Sequence, residues 1–232
     1  MKAIAPALFT AALTVLPVLS AQAALIVTEV AQQATAGTAN TINGDWWELT
    51  NTGTLAVNLS GYKWADTEDA IGGATPSPNL FPSITIAAGK SLIIIDEQSS
   101  SEAAWRANWG LSPSVVILSE DEMIDDGDGD SFSGLSSNDD AVFFYAPDGS
   151  LLSSYSYGVG TRGVSFEQNG AGVNLGLSVL GEHGALRAAN GDIGSPGAAV
   201  VPVPAAAWLF APALALLAGP YLSVEKRHRE SR

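Results

Sequence analysis

The sequence predicts an all-β domain: an antiparallel β-sandwich with one short helix, followed by a C-terminal hydrophobic helix. Three observations lead there. Short β-branched and aromatic runs recur along the chain, each bounded by Gly, Asn, Asp or Pro. A single segment, residues 99–110, carries helix-capping residues and helical spacing. From Ala205 to Leu222 the chain is apolar without one charge, about long enough to cross a bilayer as a helix.

The first run, "LIVTEV", alternates Leu25, Val27 and Glu29 on one face with Ile26, Thr28 and Val30 on the other. The runs "DWWELTNTG", "LAVNLSGYKWAD", "SITIAAGKSLIIID", "SVVIL", "DAVFFYAPDGSLLSSYSYG" and "GVSFEQNG" supply the remaining strands. In "WWELTN", Trp47 and Leu49 share one face, and Trp46, Glu48 and Thr50 share the other. One large Trp in the core is expected, Trp47, which leaves Trp46 against a loop or partly exposed. "APDGS" reads as a hairpin turn with Gly149 at positive φ.

The helix is "SSSEAAWRANWG". Ser99 is the expected N-cap, with Glu102 three residues on completing a capping box. Trp105 and Trp109 lie four apart on one face, and Gly110 can end the helix. The Trp pair is expected to pack over an edge or end of the sandwich.

The N-terminus reads as a secretory signal peptide over residues 1–23. Lys2 precedes an apolar stretch from Ala3 to Leu19, and Ala21-Gln22-Ala23 is a small-x-small cleavage site. With 0 Cys, no disulfide or zinc–thiolate site is available, so the secreted domain, residues 24–199, must rest on its own core. The chain has 10 Lys+Arg against 24 Asp+Glu. Setting aside Lys2 and the tail's Glu225, Lys226, Arg227, Arg229, Glu230 and Arg232 leaves 5 basic and 22 acidic side chains. Such a surface repels phosphate backbones, and nucleic acid is excluded as a partner.

The order of the segments resembles the lamin-tail domain, an immunoglobulin-like sandwich of nuclear lamins and many secreted bacterial proteins. The resemblance rests on "LIVTEV", "DWWELTNTGTLAVNLSGYKWAD", "FPSITIAAGKSLIII", "GLSSNDDAVFFYAPDGSLLSSYSYG", "GVSFEQ" and the closing "GDIGSPGA". Tyr62 stands where the family's Leu-Ser-Gly-Trp turn has Trp, and Ser195 where its terminal Thr-Pro-Gly has Thr. The resemblance implies an immunoglobulin-like fold used as a scaffold. It supplies no catalytic residue set.

Catalytic motifs are sparse. His183, in "LGEHGALR", is the single His of the secreted domain and reads as a solvated loop residue. No Gly-x-Ser-x-Gly elbow, His-Glu-x-x-His or phosphate-cradling glycine loop occurs. The sharpest local feature is "DDGDGDSFSGLSSNDD", where Asp126, Asp128 and Asp130 alternate with glycine. Alternating carboxylates on a flexible backbone suit calcium, with Asp125, Asp139 or Asp140 as helpers. Ser131 and Ser137 stand where an EF-hand loop has its glycine and its bidentate Glu, so the competing reading is a solvated acidic loop.

At the C-terminus, Val201-Pro202-Val203-Pro204-Ala205 precedes the apolar stretch, and Lys226, Arg227 and Arg229 follow it. The three parts, residues 200–232, resemble the Val-Pro-Leu-Pro-Ala variant of the PEP-CTERM sorting signal, with Val203 in place of Leu. That resemblance implies an exosortase-type processing protease as partner and only a transient stay in the inner membrane. The expectation is a non-catalytic module of the cell surface or extracellular matrix, structural or adhesive within the envelope or exopolysaccharide, in contact with exopolysaccharide or surface proteins. The alternatives are a calcium-dependent carbohydrate- or protein-binding module, and a hydrolase of surface glycans or phosphoesters using carboxylates and calcium.

Overall fold

The computed structural model of the chain describes residues 24–32, 44–68, 79–124, 132 and 134–198. The expected signal peptide, Asp126, Asp128 and Asp130, the Pro motif 201–205, the apolar stretch and the basic residues 226, 227 and 229 lie outside the described residues. Among the described residues no helix is long and apolar enough to cross a membrane.

In chain order the strands are β1 (Leu25–Ala31), β2 (Trp46–Asn51), β3 (Val57–Asn58), β4 (Lys63–Ala65), β5 (Asn79–Leu80), β6 (Thr85–Ile86) and β7 (Ser91–Ile95). Helix α1 (Glu102–Trp109) comes next. Then come β8 (Val116–Ser119), β9 (Asp140–Tyr145), β10 (Leu151–Tyr157), β11 (Phe166–Gln168), β12 (Asn174–Leu177), β13 (Leu186–Arg187) and β14 (Ile193–Gly194). A six-stranded sheet, β12-β11-β1-β2-β7-β8, faces a four-stranded one, β10-β9-β4-β5. This is the mostly-β sandwich that the alternating runs predict, and it is consistent with the immunoglobulin-like fold that the lamin-tail resemblance implies.

Between the sheets lies an aromatic core. Trp47 is fully buried, its ring 5.1 Å from Trp64 and 6.1 Å from Phe81, and Phe81 stands edge-on to Phe144 at 5.7 Å. Such T-shaped and tilted pairs add stability beyond the area they bury. The "APDGS" hairpin joins β9 to β10 as expected. Gly149 takes φ 85° and donates its N–H to Ala146 O.

Five local expectations are corrected. The sandwich is not wholly antiparallel, because β7 and β8 pair in parallel. Two successive parallel strands need a crossover, and α1 supplies it. The crossover lays the helix on the outer face of the six-stranded sheet, against Trp46, Ile93, Ile95 and Ile117, rather than over an edge or end. There Trp105 and Trp109 enclose Trp46, with ring centroids at 5.7 and 5.6 Å. Trp46 is therefore only 2% exposed, against the expectation of a loop-side or partly exposed ring.

The cap also differs. Ser99–Ser101 form a 3₁₀ turn, and the residue before α1 is Ser101, which makes no side-chain cap. Ser99 gives both its N–H and its hydroxyl to the Asp121 carboxylate at 2.7 Å. Glu102 pairs instead with Arg106, one turn along, at 2.6 Å. An acceptor from outside the helix displaces the local box, while the C-terminus behaves as read: Gly110 is left-handed at φ 64°.

In β1 the strict alternation fails at a register shift between Val27 and Glu29. A bulge inserts one residue and swaps the faces beyond it. Leu25, Val27 and Val30 all join the inter-sheet core, and Glu29 is carried to the outer face.

Candidate functional site

The bulge creates the most unusual chemical feature of the fold. Glu29 stands directly opposite Glu167 on β11 and directly opposite Glu48 on β2. Three glutamates thus form a row across three adjacent strands, with exposures of 4%, 1% and 0% for Glu167, Glu29 and Glu48. Like charges placed opposite one another in a sheet destabilise it, and burial adds the cost of desolvation. The row persists because the chain supplies donors from above.

The donors come from the last described segment. Ser195 gives its N–H to Glu29 Oε1 at 2.7 Å and its hydroxyl to Oε2 at 3.0 Å. Gly197 gives its N–H to Glu48 Oε2. From the sheet itself, Ser165 Oγ donates to Glu29 Oε1, and Thr28 Oγ1 donates to Glu48 Oε1 at 2.6 Å. Thr50 adds a longer contact to Glu48 at 3.3 Å and continues the chain of hydroxyls to Ser91. Burial, and then the neighbouring Glu48, push the Glu29 carboxyl up to about 8, against the lowering effect of its Ser165 and Ser195 donors. Burial likewise raises Glu48, which its donors partly offset.

Glycine makes the close approach possible. A Cβ on Gly194 would stand 2.8 Å from both Glu29 Oε1 and Ser165 Oγ, and 3.1 Å from the Trp109 ring. The closing segment therefore rests on the row and on the helix at once.

Glu167 is the open end of the row. Its Oε2 meets His183 Nδ1 at 3.2 Å, and its Oε1 is buried without a hydrogen-bond partner. Thr28, Glu48, Gln168, Leu175 and Ser195 complete a small chamber around this pair. His183 is the one described non-glycine residue at positive φ, 46°. It is not the free loop side chain that its isolation in the sequence suggests, since it lies over Glu167 with 42% of its side chain exposed.

The remaining signature residues are also accounted for by structure. Asn51, wholly buried, ties its side-chain amide to Leu55 O at 2.7 Å and Ile86 O at 3.1 Å. Its backbone carbonyl accepts the N–H of Gly89, which is left-handed at φ 67°. Trp47 and Leu49 fill the core, and Glu48 holds the closing segment. Sequence reasoning placed Glu48 on the outer face but gave Glu29, Glu167 and Ser195 no joint role. The one signal for the row was a glutamate inside each of the apolar strands "LIVTEV", "WWELTN" and "VSFEQ".

A second acidic group lies where β7 and β8 end. Burial, and a hydrogen bond with Glu120, push the Asp96 carboxyl up to about 7, with Asp45 and Glu97 adding to the rise. Asp140, a proposed helper of the calcium loop, spends its carboxylate on the N–H groups of Ser136 and Ala141. Among the described residues no group of three or more His, Cys, Asp or Glu is arranged to hold a metal ion.

Comparison with known families agrees with this architecture. The family model described as Lamin Tail Domain matches residues 19–159. No curated protein matches the chain.

Proposed function

The chain belongs to the lamin tail domain family, and from that premise we propose that it is an exported, non-catalytic module of the bacterial cell surface or extracellular matrix. Its role on this reading is structural or adhesive, within the envelope or exopolysaccharide. The observation that carries the non-catalytic part is the use made of the Glu–Ser cluster. Glu29, Glu48 and Ser195, the residues best suited to acid–base or nucleophilic work, are buried and bound to one another and to the closing backbone. A catalytic group must reach the atom it acts on, and these carboxyls are committed to holding the fold. The immunoglobulin-like family provides structural and binding domains, which supports the same reading.

Export and sorting are supported by the two ends of the sequence. Residues 1–23 have the layout of a signal peptide. Val201–Ala205, the apolar stretch and Lys226, Arg227 and Arg229 have the three-part layout of a PEP-CTERM sorting signal. A basic end retained in the cytoplasm would hold the Pro motif at the outer face, where an exosortase-type protease cuts. Mass spectrometry of extracellular material from the native host is expected to find a chain ending near residue 200 and lacking Trp208. Replacing Pro202 and Pro204 with Ala is expected to leave uncut protein in the inner membrane. Full-length extracellular protein, or full-length membrane protein with Arg232 intact in the wild type, would overturn the sorting reading.

A second reading is a calcium-dependent binding module, favoured by the alternation of Asp126, Asp128 and Asp130 with glycine.

A further inference from the structure

We propose that the segment Ile193–Gly197 is a proton-controlled strap, closed over the glutamate row of the six-stranded sheet while the Glu29 carboxyl carries a proton and loosened when that proton leaves.

The geometry of the row sets the problem. Glu167, Glu29 and Glu48 face one another at directly paired positions on β11, β1 and β2. Among the described residues neither Glu29 nor Glu48 forms an ion pair. Besides the hydroxyls of Ser165, Thr28 and Thr50, they meet the strap, which brings two backbone N–H groups and one hydroxyl from Ser195 and Gly197. The titratable and charged groups packed about Glu29 are Glu48 on β2, Glu167 on β11 and His183 above it. Asp192 enters the strap, and the Tyr155 hydroxyl of β10 reaches the Glu167 carbonyl at 2.9 Å from the other side.

A protonated Glu29 suits this setting. Its carbonyl oxygen can accept from Ser195 N–H and Ser165 Oγ, while its O–H turns toward Ser195 Oγ and reverses that hydrogen bond. Removing the proton places a full charge in a medium of low dielectric directly beside the buried Glu48 carboxyl, where it is least tolerated. Burial and Glu48 outweigh the donors, which is why the carboxyl is raised to about 8.

The strands cannot separate cheaply. β1 pairs along its length with β2 and is flanked by β11, whereas the strap is tied sideways only at its start, where Ile193 and Gly194 pair with β13 and Ile193 bonds Gly163 and Ser165, and Ser195–Gly197 lie in no strand. The strap is therefore the element that yields and lets water reach the carboxylates. Its movement frees the Gly194 approach to Glu29 and Trp109.

Amide hydrogen exchange on the full chain from pH 6 to 9.5, corrected for base-catalysed chemical exchange, tests the proposal. The Ser195 and Gly197 amides are expected to lose at least tenfold of their protection between pH 7 and 9, while Trp47 and Ile94 in the central strands keep theirs. Glu29→Gln, which preserves shape without a titrating proton, is expected to keep the strap protected across the range. Three outcomes would overturn the idea: strap protection unchanged to pH 9.5, strap and central strands losing protection together, or the same profile in Glu29→Gln. The comparison of strap with central strands needs only the wild-type chain, so it stands even if the variant does not fold.

Discussion

Ser195 delivers both its backbone N–H and its hydroxyl to the carboxyl group of Glu29, at 2.7 and 3.0 Å, across 166 positions of sequence. With Gly197 on Glu48, this contact joins the first strands of the domain to its last described segment. The domain is closed at this point without a disulfide, in a chain with 0 Cys. Buried hydrogen bonds to carboxyl groups take over the task, and they work only while water is excluded.

Stability is expected to fall as pH rises from about 4.5 to 8. The Glu29 carboxyl is raised in the folded state, so the folded protein holds a proton that the unfolded chain releases above 4.5. Its contribution is complete below that value and is lost as pH climbs through about 8. Thermal melts between pH 5 and 8.5 should show a progressive drop, amounting to a few kcal/mol at ~1.4 kcal/mol per pKa unit. Glu29→Gln should flatten the slope; an equal slope in the variant would remove Glu29 as its source.

Trp47 and Trp46 are neighbours in sequence with separate environments, and the two predictions differ accordingly. Trp47→Ala opens the inter-sheet core beside Trp64 and Phe81 and should cost about 3–5 kcal/mol in denaturant unfolding. Trp46→Ala empties the space between Trp105 and Trp109 and should also loosen α1, seen as faster amide exchange at Arg106–Trp109. If Trp46→Ala left helix exchange unchanged, the ring would not be what seats the helix.

Gly194→Ala should destabilise the fold by about 1–3 kcal/mol, because the added methyl meets Glu29, Ser165 and Trp109 together. Pairing it with Ser165→Ala removes one of those obstacles and should recover part of the loss in a double-mutant comparison. Strict additivity of the two changes would show that they do not share this contact.

Much of the fold is legible in the sequence because local pattern and tertiary need agree there. Trp47 and Leu49 sit on the core face that alternation assigns them, and Gly110 and Gly149 take the left-handed conformations their turns require. The reading fails where a distant residue wins over a local one. Asp121 takes Ser99 away from the capping box, a bulge turns Glu29 outward, and a parallel pairing moves the helix onto the sheet face. The short strands β12, β13 and β14 were not legible either. "NLGL", "LR" and "IG" offer little β-branched alternation, and pairing partners alone define them. The glutamate row was illegible as a unit because register, not composition, brings its members together.

The acidic loop offers the last test. Asp126, Asp128 and Asp130 lie just beyond Ile124, and Asp96, Glu120, Asp45 and Glu97 form an acidic group where β7 and β8 end. A loop site with few fixed ligands binds calcium at the weak, extracellular end of the range, so a Kd on the order of 0.1–1 mM is expected. Calorimetry should detect this in the wild type and lose it in Asp126→Ala/Asp128→Ala/Asp130→Ala. Several millimolar calcium should also raise the melting temperature of the wild type alone, through mass action on the folded state. Among the described residues the strand-end carboxylates are not arranged to hold a metal ion, so Asp96→Asn should leave the binding heat intact. Equal heats in wild type and triple variant would leave the loop as a solvated acidic surface.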